Sequence, residues 1–265
     1  MQPLTPAQRS RGSAACAHAH APSRSIRGRH RSLEFAAFRG VVAIVLALAC
    51  ADAVGQWSGS VSVVSDYRYR GISLTGNDPA LQGAINYDDP SGFYAGSFLS
   101  NVRFPFASGR ELQALSFAGY VWQLPSGVSG EVGVDYSFFT RIHGYDYPEV
   151  YAGFTSGKFS GRLYYTPRYF GRFGDAIYGE LNFAQPLGDR VRIVAHGGAL
   201  RSKSYDQYGG SSDQSTFDGR LGIGFDIDAF NLELSWVGVS NAESAYPFSG
   251  SSHRNGVVFS VSRSF

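Results

Sequence analysis

The 265-residue chain contains 33 Gly, 20 Phe and 16 Tyr, is 43% hydrophobic and carries a formal net charge of +2. That much apolar content excludes a disordered chain, and high Gly with 15% aromatics excludes a helical bundle. The charge is split: residues 1–53 hold seven Arg, no Lys and two acids, whereas residues 54–265 hold fourteen Arg, two Lys and nineteen acids, so the basic balance implies no nucleic-acid partner.

Val41 to Ala51 is an eleven-residue apolar run, preceded by Arg39 and followed by the small-residue exit Ala51-Asp52-Ala53. It is too short to span a roughly 30 Å hydrocarbon layer, which needs about 20 helical residues. The pattern predicts a Sec signal peptide within an N-terminal extension, residues 1–53, cleaved near Ala53, and a single domain over 54–265. Cys16 and Cys50 both leave with the head, so the domain has no disulfide and no Cys-ligated metal.

From Trp57 onward, polar and apolar residues alternate with a period of two, which predicts an all-β chain. In chain order the expected strands are 57–69, 80–88, 93–101, 111–123, 128–139, 149–155, 159–169, 175–187, 190–201, 216–227, 230–239 and 256–265. Tight Pro, Gly and Asp turns near 88–92, 124–127, 156–158, 187–189 and 228–229 alternate with longer connections near 70–79, 102–110, 140–148, 170–174, 202–215 and 240–255. Short and long connections in strict alternation describe a twelve-stranded antiparallel up-and-down barrel, with both termini at the tight-turn rim.

Alternation does not say which face meets lipid, since a soluble barrel shows the same pattern inverted. Three features favour a transmembrane barrel of outer-membrane type. They are the export signal, aromatic residues near strand ends (Trp57, Tyr67, Tyr69, Tyr136, Phe138, Phe139, Tyr165, Tyr169, Trp236), and a last strand placing Val257, Phe259, Val261 and Phe265 on one face. The strand ending at Phe265 resembles the signal that outer-membrane barrels present to their insertion machinery; Arg263 departs from that pattern.

The segments Ser65-Asp-Tyr-Arg-Tyr-Arg-Gly-Ile-Ser73, Asn77-Asp-Pro-Ala-Leu-Gln-Gly83 and Asn86-Tyr-Asp-Asp-Pro-Ser-Gly-Phe-Tyr-Ala-Gly96 resemble the opening of the TorF-family porins, the Gcw_chp outer-membrane barrel family. The likeness is strongest over 57–100. It implies a barrel of Gram-negative outer membranes and names no solute.

Following the alternation, the polar face carries Asp66, Arg68 and Arg70 on the first strand, Glu131 and Asp135 on the fifth, and Arg162 and Arg168 on the seventh. Later strands add Glu180, Arg192, His196, Asp218, Arg220 and Glu233. If the apolar face meets lipid, these residues line a lumen. One reading is a narrow, weakly selective pore for passive diffusion of small polar solutes, with acids and Arg nearly balanced. The other is a structural or surface-interaction barrel whose Arg and carboxylate pairs close the lumen. No Gly-x-Ser-x-Gly elbow, His-Glu-x-x-His run or paired metal-ligand spacing is present, so neither an enzyme nor a cofactor is expected. His143 and His253, near Asp146 and Glu243 in outer connections, are the residues from which a catalytic dyad could be built. Oligomeric state is left open.

Overall fold

The computed structural model describes residues 56–104, 109–171, 174–205, 211–240 and 255–265. The signal segment, His253, Glu243 and most of the 240–255 connection lie outside the described residues. The strands are β1 (Gln56–Val64), β2 (Arg68–Tyr69), β3 (Ile72–Ser73), β4 (Ala80–Asp88), β5 (Phe93–Val102), β6 (Glu111–Gln123) and β7 (Ser129–Phe139). They continue as β8 (Tyr147–Ser156), β9 (Phe159–Thr166), β10 (Ala176–Pro186), β11 (Val191–Tyr205), β12 (Ser211–Ile227), β13 (Phe230–Val239) and β14 (Asn255–Ser264).

Every strand except β2 and β3 joins a closed antiparallel barrel of twelve, each paired to its chain neighbour and β14 closing onto β1. The closing register sets Val61 against Arg263, and Phe265 exchanges backbone hydrogen bonds with Gly59 at 2.8 and 3.0 Å. Closure leaves no unpaired edge, which is what allows strands to cross an apolar layer. Strands of about ten residues, tilted by about 40°, span the roughly 25 Å apolar band of such barrels.

The tight turns follow their sequence chemistry. In the β4–β5 turn, Gly92 adopts φ 103 and Asp89 accepts the Ser91 backbone N–H at 2.9 Å. These hydrogen bonds from Ser91 hold the Asp89 carboxyl below its ordinary pKa. In β12, Phe217, Leu221, Ile223 and Phe225 point outward and are exposed, while Thr216, Asp218 and Arg220 face the lumen. The same division runs through Val63, Val134, Leu163, Leu234 and Val257, giving a transmembrane barrel of outer-membrane type with an apolar exterior.

Three boundaries differ from the sequence reading. The first wall strand stops at Val64 instead of 69: Ser65 makes the last contacts with β14, and the chain then turns into the lumen as the β2–β3 hairpin. The seventh wall strand stops at Thr166 because Pro167 has no N–H for the ladder. Conversely, β11 and β12 continue their pairing to Tyr205 and Ser211, so much of the expected 202–215 connection is strand.

The aromatic assignments divide as well. Trp57, Tyr136, Tyr165 and Trp236 lie on the outer surface, whereas Tyr67, Tyr69, Phe139 and Tyr169 are buried inside with Phe98, Phe104, Tyr147 and Phe170. Small lumen-facing residues make this packing possible: a side chain at Gly119 or Gly133 would collide with the rings of Tyr94 and Tyr151.

Candidate functional site: a hairpin seated in the lumen

The hairpin 65–75 is organised by Asp66. Its Oδ2 accepts from Arg68 Nε at 2.7 Å, and its Oδ1 accepts from Ser73 Oγ at 2.5 Å and Thr75 Oγ1 at 3.0 Å. Such local side-chain bonds give the chain an alternative to continuing the wall ladder. Leu74 donates its N–H to Tyr67 O at 2.8 Å, and the tip turns through Arg70 (φ 48) and Gly71 (φ 80), both left-handed. Two positive φ values in succession define the tight hairpin turn that matches strand twist. A Cβ at Gly71 would sit 2.7 Å from Asp218 Cβ and 2.9 Å from Val239 Cβ, so the tip rests on the β12–β13 wall.

Arg70 reaches the other wall. Its side chain is 1% exposed and its Nη2 donates to Glu149 Oε2 at 2.6 Å, an oxygen that also accepts from Tyr69 OH at 3.1 Å. The guanidinium lies 4.3 Å from the ring centre of Tyr178, 4.9 Å from Tyr69, 5.3 Å from Tyr164 and 5.4 Å from Tyr169. Tyr69 and Tyr147 join through their hydroxyls at 3.2 Å. Phe170, in a left-handed conformation (φ 44), packs its ring 5.0 Å from that of Tyr147. The hairpin and these rings pack together inside the barrel.

Two further networks line the wall. Arg162 binds Glu131 in a two-point contact at 2.7 and 2.9 Å, beside hydroxyls of Tyr94 and Tyr151 that share a 2.8 Å hydrogen bond. Across the lumen, His196 Nε2 lies 2.9 Å from Asp218 Oδ1 and its Nδ1 2.8 Å from Asn182 Oδ1, while Tyr178 OH donates to Asp218 at 3.2 Å. Nearer the tight-turn rim, Arg220 pairs with Glu233 at 3.3 Å and Arg192 with Asp226 at 2.9 Å. A chamber of about 100 Å³ lies against the hairpin, bordered by Asp66, Arg68, Arg70, Asn182, His196, Asp218, Arg220 and Glu233. Exposure falls along this route, from 51% at the Asp226 side chain to 1% at Arg70.

Of the residues chosen from sequence, Asp66, Arg68 and Arg70 lie in the lumen on the hairpin, not on a wall strand. Glu131, Asp135, Arg162, Glu180, Arg192, Asp218, Arg220 and Glu233 face the lumen from the walls. Arg168 does not: it follows Pro167 in the β9–β10 connection and is exposed. Glu149, the partner of Arg70, was missed, as were Tyr164 and Tyr178. Their signal was available, since each tyrosine sits two residues from a lumen-facing charge, Arg162 or Glu180. With Asp88, Glu111, Glu149 and Asp226 added and Arg168 removed, carboxylates outnumber guanidinium groups in the lumen among the described residues. The near balance expected from sequence is therefore an acidic excess.

His143 lies 3.3 Å from Asp146 at the rim, and Asp146 also accepts the Phe139 N–H at 2.7 Å.

The family model described as "Bacterial protein of unknown function (Gcw_chp)" matches residues 49–265. No curated protein matches the chain. Similar solved structures include the KdgM porin in complex with disordered oligogalacturonate, 13% identical with a TM-score of 0.48, covering 79% of this chain and 99% of that one. LpxR from Salmonella typhimurium is 8% identical with a TM-score of 0.41, covering 78% and 99%. OmpT, an outer membrane protein of Vibrio cholerae, is 9% identical with a TM-score of 0.32, covering 80% and 98%.

Proposed function

The chain belongs to the Gcw_chp family, and from that premise we propose that it is a porin of the TorF kind, a narrow barrel through which small polar solutes diffuse passively across a Gram-negative outer membrane. Export through Sec, and insertion by the barrel machinery acting on the strand that ends at Phe265, belong to the same reading. It includes no catalytic step and no cofactor.

The observation that carries it is the graded row of lumen charges, Arg192–Asp226, Arg220–Glu233 and then the chamber under the hairpin, enclosed by strands whose outer face is apolar. Burying that ionic row toward acyl chains would cost about 2–4 kcal/mol for each Arg at the midplane. In this reading the hairpin seated in the lumen is the gate, and conduction requires it to leave its seat. The same seat favours a second reading, a closed structural barrel held by Arg70–Glu149 and Arg162–Glu131.

Liposome swelling with sugars and amino acids of graded size separates the two. A variant with residues 66–74 replaced by a flexible Gly/Ser link should admit solutes up to a definite size. If neither the native chain nor this variant admits any solute, the barrel is a closed one.

A further inference from the structure

We infer that the pocket holding Arg70 is a recognition site for a small organic cation, a guanidinium or ammonium group, and that the hairpin keeps it shut by lodging its own guanidinium there.

The pocket is built mainly without the hairpin. Tyr164 comes from β9, Tyr178 from β10 and Tyr169 from the β9–β10 connection; only Tyr69 travels with Arg70. Ring faces carry negative charge density and attract a cation that is shielded from water. The matching carboxylates are also wall residues. Glu149 on β8 accepts the single guanidinium hydrogen bond, and Asp135 stands directly across the ladder on β7. Asp135 is buried, and its Oδ1 has no hydrogen-bond partner. Glu149 alone bonds this guanidinium, whose Nε and Nη1 are themselves buried without hydrogen-bond partners. Glu149 and the ring faces, not a full set of hydrogen bonds, hold this charge.

Withdrawing the hairpin strips Glu149 of its guanidinium partner within an aromatic wall, and breaking a buried pair in this way is costly. A solute cation restores the balance that Arg70 supplies in the seated state. The surrounding field points the same way, with lumen carboxylates outnumbering guanidinium groups among the described residues. Arg70 thus acts as a tethered stand-in, and the solute class that competes with it is cationic. The inference deepens the porin reading by naming that class, and rests on that reading only for transport.

Chemical rescue tests it. Arg70→Ala is purified in detergent and its thermal unfolding followed with millimolar guanidinium ion or with urea, a neutral molecule of the same shape. Guanidinium should raise the melting temperature by several degrees, as a ligand specific to the folded state does. Urea should leave it unchanged, and the native chain, its pocket filled, should not respond to guanidinium. Adding Glu149→Gln to Arg70→Ala should abolish the rescue. If Arg70→Ala does not fold, Arg70→Gln, neutral and closer in volume, is titrated instead. Equal effects of urea and guanidinium, an equal rise in the native chain, or rescue that survives Glu149→Gln would overturn the inference. Reversal potentials of the same variant in planar bilayers should favour cations over anions, with guanidinium slowing the current. Rescue without any current would retain the pocket and discard the porin; current without rescue would do the reverse.

Discussion

Gly71→Val should unseat the hairpin while leaving the barrel intact. Gly71 has φ +80, a conformation that costs an L-residue about 1–2 kcal/mol and suits a β-branched one worst. Its new Cβ would stand 2.7 Å from Asp218 Cβ, 2.9 Å from Val239 Cβ and 3.2 Å from Gly238 O, all on rigid wall strands. Overpacking of this kind costs about 1–3 kcal/mol. Together the two effects oppose the seated state by about 2–5 kcal/mol, which at about 1.4 kcal/mol per decade is a shift of roughly thirtyfold to a few thousandfold in its population. Trypsin reports the seat directly, because Arg68 and Arg70, 8% and 5% exposed in the lumen, become cleavable once the hairpin leaves. Accelerated cleavage there, with an unchanged barrel melting temperature and raised bilayer conductance, is the expected result. Native protease resistance in a folded variant would refute the steric reasoning; loss of the barrel transition together with the hairpin would show that the two are one cooperative unit.

Glu131→Gln strands Arg162 beside Tyr151 without its two-point partner, and breaking a buried pair in this way costs about 3–5 kcal/mol, readable as a lowered thermal midpoint in detergent. Leu221→Arg places a charge on the exposed outer face of β12 and should cost about 2–4 kcal/mol in lipid, seen as a fall in the folded fraction recovered in vesicles, whereas the same change would be nearly silent on a water-soluble barrel. Asp89, whose carboxyl is held below its ordinary range by hydrogen bonds from Ser91, contributes stability that is present above that range and lost as pH falls from it through the lower folded-state value. Asp89→Ala should therefore reduce stability at neutral pH and flatten its acid dependence, measured as urea midpoints across pH; an unchanged slope would remove Asp89 from the linkage.

The residues that mark the barrel are local, and so it was readable. Period-two alternation and turns such as Asp88-Asp-Pro-Ser-Gly92 act over a few positions, and they placed twelve wall strands. The candidate site was read less well for a reason visible in its own residues. Asp66, Tyr67, Arg68, Tyr69 and Arg70 alternate as a strand does, yet alternation states only that two faces exist. It does not say which neighbours they meet. Ser73 and Thr75, which bind Asp66, lie seven and nine positions ahead, and Glu149, which binds Arg70, is 79 positions away.

What the order of residues decided alone was therefore the wall: strand period, turn chemistry, closure with an apolar outside, and the charges available to a lumen. What required the folded chain was the occupant of that lumen. A wall strand is specified by neighbours whose positions the turns dictate, whereas the seat of Arg70 exists only once β7, β8, β9 and β10 have been brought around it, and its tip fits only because Gly71 meets β12 and β13 on the far side. Contacts of that kind arise from closure of the whole ring and leave no periodic trace in the chain.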